Sequence, residues 1–287
     1  MTEPELQQER AHKWRLDGNA MSTVEDARSF VDDAGFCLMY PERSLPLVPT
    51  FIGAYAGSAD KLPDARHAFA DPRARQATEL MVRLLRDKSA YELKLPAGAD
   101  LVISASLFPF FYSLVSDRNP KAPPKARAQG ATVSPLAVSV FEAVQKHGPL
   151  NKDGIREHIG GESSDAALDR ALNDLWSVLK IIRVDYREGE GAFWDVLYRW
   201  SPKTTKEGLN ISAPEAISAL LCKYLETVIA AAQDEVEQFF SHLTSRAKVR
   251  EAVNALLAAR ELGFVSVDSR TLLQLAPAQP QRRRIHG

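Results

Sequence analysis

Along this 287-residue chain the spacing of apolar positions alternates between helical and strand-like, most sharply in the middle. Leu136, Val140, Phe141 and Val144 are spaced for a helix that ends at His147. Gly148-Pro149 then stops it, since proline cannot continue the hydrogen-bond ladder. Asn151 is placed to cap a short second helix through Ile159, closed by Gly160-Gly161. Ser163 or Ser164 caps a third, whose apolar stripe is Leu168, Leu172, Leu175 and Leu179. Ile181 to Tyr186 and Ala192 to Trp200 follow as β-branched and aromatic runs around Glu188-Gly189-Glu190-Gly191, the pattern of a hairpin. Three helices and a hairpin outline a winged helix, expected over residues 133–206.

The same order returns near the C-terminus without clear sequence identity, so the repeat is architectural. Ser212, with Glu215 three residues on, opens a helix to about Ala231. Helices at Gln233–Phe240 and Ser245–Arg260 follow. A hairpin then joins Phe264–Val267 to Thr271–Leu275, giving a second winged helix over 211–276. Residues 22–118 read as an N-terminal winged-helix-like unit. Its first helix opens at Ser22 with Glu25 as capping partner, and it ends in a hairpin and an aromatic helix, Leu107–Val115. The expected class is mainly α with small β-hairpins (α+β), built from tandem winged-helix units. Polar residues 1–21 read as a disordered tail. The Pro- and Lys-rich 119–132 reads as a linker, Ser201–Asn210 as a shorter one, and 277–287, with Arg282, Arg283 and Arg284, as a basic tail.

Composition narrows the classes. Apolar residues at 45% and charged residues at 25% allow ordinary cores. A net charge of −1 excludes a uniformly basic nucleic-acid binder and leaves room for a local basic face. Cys37 and Cys222 stand far apart, as buried thiols of a reducing compartment do. The histidines lack metal-ligand spacing, and no phosphate loop or nucleophile elbow is present, so no metal and no cofactor are expected. The polar N-terminus and the lack of a long apolar run point to a cytoplasmic protein with no membrane partner.

Charge placement supplies the binding candidates. In the C-terminal third helix Arg246, Arg250 and Asn254 recur every four residues opposite Val249, Val253 and Leu256, with Lys248 near the same end. Such a face suits phosphate and base-edge contacts to double-stranded DNA, and a solvated polar face explains it equally well. Arg183 and Arg187 in the central hairpin join the candidate set. The central third helix carries Asp165, Asp169 and Asp174, which phosphates would repel.

Several short segments together carry a family resemblance. They are Ala34-Gly35-Phe36, Gly148-Pro149-Leu150, Leu168-Asp169-Arg170-Ala171-Leu172, Tyr198-Arg199-Trp200, Tyr224-Leu225 and Leu262-Gly263-Phe264-Val265. With the order of units, they resemble the crosslink-repair DNA glycosylases of the YcaQ/AlkZ type, which are winged-helix proteins without metal or cofactor. The resemblance implies a catalytic Gln, an apolar residue, then Asp or Gln, soon after the first helix. Through Gly35-Phe36 those positions fall on Leu38 and Tyr40. Leu38 can accept no hydrogen bond, and a tyrosine is a poor base at neutral pH. The expectation is therefore a DNA-binding protein on this scaffold without glycosylase activity. Two alternatives stay open: an active glycosylase using the displaced acids Asp32, Asp33 or Glu42, and a winged-helix module that binds a protein partner.

Overall fold

In the computed structural model, which describes residues 1–67, 70–96, 98–124, 134–160 and 163–277, one plan recurs three times. The chain begins with α1 (Glu3–Lys13). The first unit is α2 (Val24–Ala34), β1 (Phe36–Leu38), α3 (Phe51–Ala56), α4 (Pro72–Arg86), β2 (Ala90–Lys94) and β3 (Asp100–Ser104). A bridging helix, α5 (Phe108–Val115), follows. The second unit is α6 (Pro135–His147), α7 (Lys152–Ile159), α8 (Asp165–Ser177), β4 (Ile181–Arg187) and β5 (Gly191–Val196). Then come α9 (Leu197–Trp200) and α10 (Pro202–Asn210). The third unit is α11 (Ala213–Val228), β6 (Ala230–Ala231), α12 (Gln233–Phe240), α13 (Arg246–Ala258), β7 (Leu262–Val267) and β8 (Arg270–Leu275).

In every unit the segment after the first helix pairs antiparallel with the last strand. β1 pairs with β3 and β6 with β8, giving sheet orders β1-β3-β2 and β6-β8-β7. In the second unit one bridge, Leu150 to Trp194, does the same work. The helices start where short polar side chains accept from the first-turn amides. Asn151, Ser164, Ser212 and Ser245 do so as N-caps. The first unit's cap is Thr23 with Asp26 rather than Ser22 with Glu25, because the Asp26 carboxylate reaches back to the amides of Ser22 and Thr23. Gly35 ends α2 at φ 73°, where a Cβ would stand 2.6 Å from the Lys223 side chain.

Three expectations are corrected. Residues 1–21 are not a disordered tail throughout: α1 straps the third unit. Buried Arg10 donates to Val228 O and Ala230 O, and the Trp14 indole donates to Thr227 O. Amphipathic spacing of Leu6, Arg10 and Trp14 at steps of four gives α1 something to bury. Residues 202–210 form α10, packed on α5, rather than a linker. Phe193 and Trp194 stay in the wing strand, but Leu197–Trp200 turns helical. The start of the expected linker is held by Lys180, which donates to Asn119 O and Ala122 O. The rest, with Lys125 and Arg127, lies outside the described residues, as does the basic tail from 278 on.

The largest core lies where the units meet. Phe36, Phe111, Tyr224, Phe239 and Phe240 pack edge-to-face and stacked there, with ring centroids 5.3–6.3 Å apart. Phe108 and Phe111 are buried core residues. Units one and two pack reciprocally: the third helix of each, α4 and α8, leans on the wing of the other, β4 and β2. The third unit's α13 packs chiefly on its own unit's α11, α12 and β7. No described helix is long and apolar enough to cross a membrane.

Candidate functional site

Strand β1 separates two cores, and that decides where Leu38 and Tyr40 lie, the residues onto which the resemblance carries its catalytic pair. Side chains alternate along a strand. Phe36 and Leu38 face the shared core, and Cys37 and Met39 face the first unit's own core. Leu38 is 2% exposed, so no substrate or water reaches it. Tyr40, just past the strand, is half-buried, and its hydroxyl lies 3.4 Å from Thr78 Oγ1. Burial raises the Tyr40 phenol further above its ordinary value, which removes it as a base.

Thr78 in turn lines a groove of about 310 Å³ between α4 and the central wing. From α4 come Arg75, Thr78, Glu79, Arg83 and Arg86, and from the wing Tyr186 and Glu188. These α4 positions recur every three or four residues, opposite the buried Ala74, Ala77, Met81 and Leu85. Arg86 spans the groove's end, giving Nε to Asp185 Oδ1 at 2.6 Å and Nη2 to Tyr186 O. Three arginines meet two glutamates here, and with Asp185 taking Arg86 the charges balance.

The predicted DNA-binding residues separate into two groups. Arg246, Lys248 and Asn254 lie exposed on α13, Arg246 and Asn254 on one face and Lys248 around the helix near the same end. Arg250 is on that face too, but its guanidinium is clamped on Glu237 at 3.0 and 2.7 Å, which holds the Glu237 carboxyl below its ordinary range. Arg187 is spent on Asp185 and Glu190 and lies 4.3 Å over the Phe193 ring. Arg183 corrects the expectation outright. It points inward, and its fork holds both oxygens of Glu92, which is fully buried. Burial alone would lower the Arg183 guanidinium, and the Glu92 carboxylate more than reverses that. On Glu92 burial pushes upward and Arg183 pulls back. We take the pair as ionised, because both carboxylate oxygens accept from the guanidinium.

The displaced acids stand apart from Tyr40. Asp32 and Asp33 are exposed in a wide trough beneath α1, with His12, Lys13, Lys223 and Glu226. Burial first, then Asp33, raises Asp32. Glu42 accepts from the Ser44 amide and hydroxyl. Two of the three acids of α8 are paired locally, Asp165 with Arg156 and Asp169 with Lys152. His147 and His158 stack at 3.9 Å, and no group of three metal-ligating side chains occurs among the described residues.

The groove is not legible in the sequence. Arg83 and Arg86 look like ordinary helix-surface charges beside Glu79 and Asp87. Only the wing folding across them makes a site. The available signal was the arginine spacing on the third helix of a winged-helix unit.

Three winged helices in tandem, joined through a common core, define a tandem winged-helix protein. The model of the AlkZ-like DNA glycosylases matches residues 58–285, and the chain belongs to that family. The match begins beyond Leu38 and Tyr40. Among solved structures the fold is similar to the DNA glycosylase AlkZ of Streptomyces sahachiroi. The TM-score is 0.56 at 15% identity, over 93% of this chain and 69% of that one. No curated protein matches the sequence.

Proposed function

We propose that this chain binds double-stranded DNA on the family's winged-helix scaffold and does not cleave the glycosidic bond. One observation carries the reading. Tyr40, on which the resemblance would put a catalytic residue, meets Thr78 in the lining of an arginine-bearing groove, while Leu38, its expected companion, is sealed in a core. Arg83 would meet phosphate by charge-assisted hydrogen bonds, and exposed Arg246, Lys248 and Asn254 on α13 would add a second contact. With Leu38 buried and the Tyr40 phenol raised, neither family position supplies a base to activate water or a charge to stabilise an oxocarbenium ion.

A second reading, an active glycosylase, has one observation in its favour: Glu79 and Glu188 place carboxylates in the same groove. Two measurements separate these. Anisotropy titration of a labelled duplex at low salt is expected to show binding that charge reversal at Arg83 weakens. Incubation with alkylated or crosslinked duplex is expected to leave no abasic sites. Absence of binding at low salt sinks the proposal, and abasic sites that disappear in Glu79→Gln would establish the second reading in its place.

A further inference from the structure

Strand β4 carries an irregularity whose consequence reaches the groove. Arg183 pairs with Trp194 and Asp185 with Phe193, with Val184 passed over as a bulge. Residues two apart on a regular strand share a face. Here they oppose neighbouring residues, so the bulge turns them to different sides. Arg183 goes inward to Glu92 on β2, and Asp185 goes to Arg86 on α4. Both are contacts with the first unit, one from each side of the wing strand.

The inward contact is over-determined. Glu92 is 0% exposed and takes two bonds from the Arg183 fork. The guanidinium lies 5.4 Å over the Trp176 ring, and the Trp176 indole donates at 3.0 Å to the carbonyl of Glu92 itself. Lys94 and Asp100, the nearest other charges, neutralise each other at 2.6 Å. A buried ion pair is a poor stabiliser, since well-packed apolar residues in its place are often neutral or better. Its directional geometry is what apolar residues cannot reproduce.

We infer that the buried Glu92–Arg183 pair is the latch that sets the spacing and tilt of the central wing over α4. Both are positioning residues for the groove. The functional half of this inference rests on the DNA-binding reading; the mechanical half does not. The latch holds Tyr186 and Glu188 opposite Arg75 and Arg83, and it accounts for the inward course of the Arg183 side chain.

The test is the double variant Glu92→Met with Arg183→Met. It leaves net charge unchanged and removes no groove-lining residue. It is expected to melt within a few degrees of the unaltered chain. Duplex affinity is expected to fall at least tenfold, with a flatter dependence of log K on log salt, a change that loss of stability alone would not produce. In the free protein, amide exchange across residues 184–194 is expected to accelerate at least tenfold relative to β7 and β8. Arg183→Lys, which keeps the charge without the fork, is expected to give about threefold or more in the same direction. It provides the decisive reading if the double variant does not fold. Unchanged wing exchange overturns the latch, whatever DNA does. Faster exchange with unchanged affinity and salt slope overturns its role in binding. If the unaltered chain binds no DNA, the DNA reading falls and the exchange result alone decides the latch.

Discussion

Arg83 gives the groove its sharpest quantitative test. It is exposed and lines the groove from α4. Each phosphate contact contributes about 0.9 to the slope of log K against log salt. Replacing Arg83 by alanine is then expected to reduce the slope by about 0.9. Between roughly 50 and 200 mM salt the unaltered chain should lose about 3.5-fold more affinity than the variant. Anisotropy titration of a labelled duplex at several salt concentrations measures this directly. Arg73→Ala is the control: that side chain is tied to Asp71 and the Lys61 carbonyl and does not line the groove. A slope change below about 0.5, or one matched by Arg73→Ala, refutes the groove as the phosphate contact.

Three other outcomes follow from particular side chains. Arg10→Ala strips two buried carbonyls, Val228 O and Ala230 O, of their donor, and chemical denaturation should show a loss of about 2–5 kcal/mol; less than 1 would mean that the strap is dispensable. Leu38→Gln, which introduces the residue type the resemblance expects there, buries an amide in an apolar core. It should cost roughly 2–4 kcal/mol in a thermal melt without producing abasic sites, and an unchanged melt would show that Leu38 is not enclosed. The Asp26 carboxyl is held at about 2, against an ordinary 3.8, by the Ser22 amide first and then by Thr23 and the Ser22 hydroxyl. A folded value below the unfolded one means that this cap is at full strength above about pH 4 and is lost as pH falls toward 2. An NMR titration midpoint for Asp26 at or above 3.8 contradicts that cap.

The sequence alone determined the elements that local chemistry controls. Asn151, Ser164 and Ser212 mark helix starts because a short polar side chain satisfies amides that have no partner within the helix. The stripe Leu168, Leu172, Leu175 made α8 legible, and Glu188-Gly189-Glu190-Gly191 made the central turn legible. The family, too, could be read from scattered short segments. What the pattern left open were elements stabilised mainly by contact. Helix α1 is polar overall and holds through Arg10, Trp14 and their carbonyl partners far along the chain. The two-residue strand β6 is too short for any periodicity.

Tertiary structure alone decided the site, because a charge's role depends on what faces it. Arg183 and Arg83 look alike in the sequence. A bulge and a buried Glu92 take one into the interior, while the wing laid over α4 puts the other at the rim of a groove. Leu38 likewise reads as an apolar residue at a polar position, and only β1 lying between two cores shows that no water can reach it.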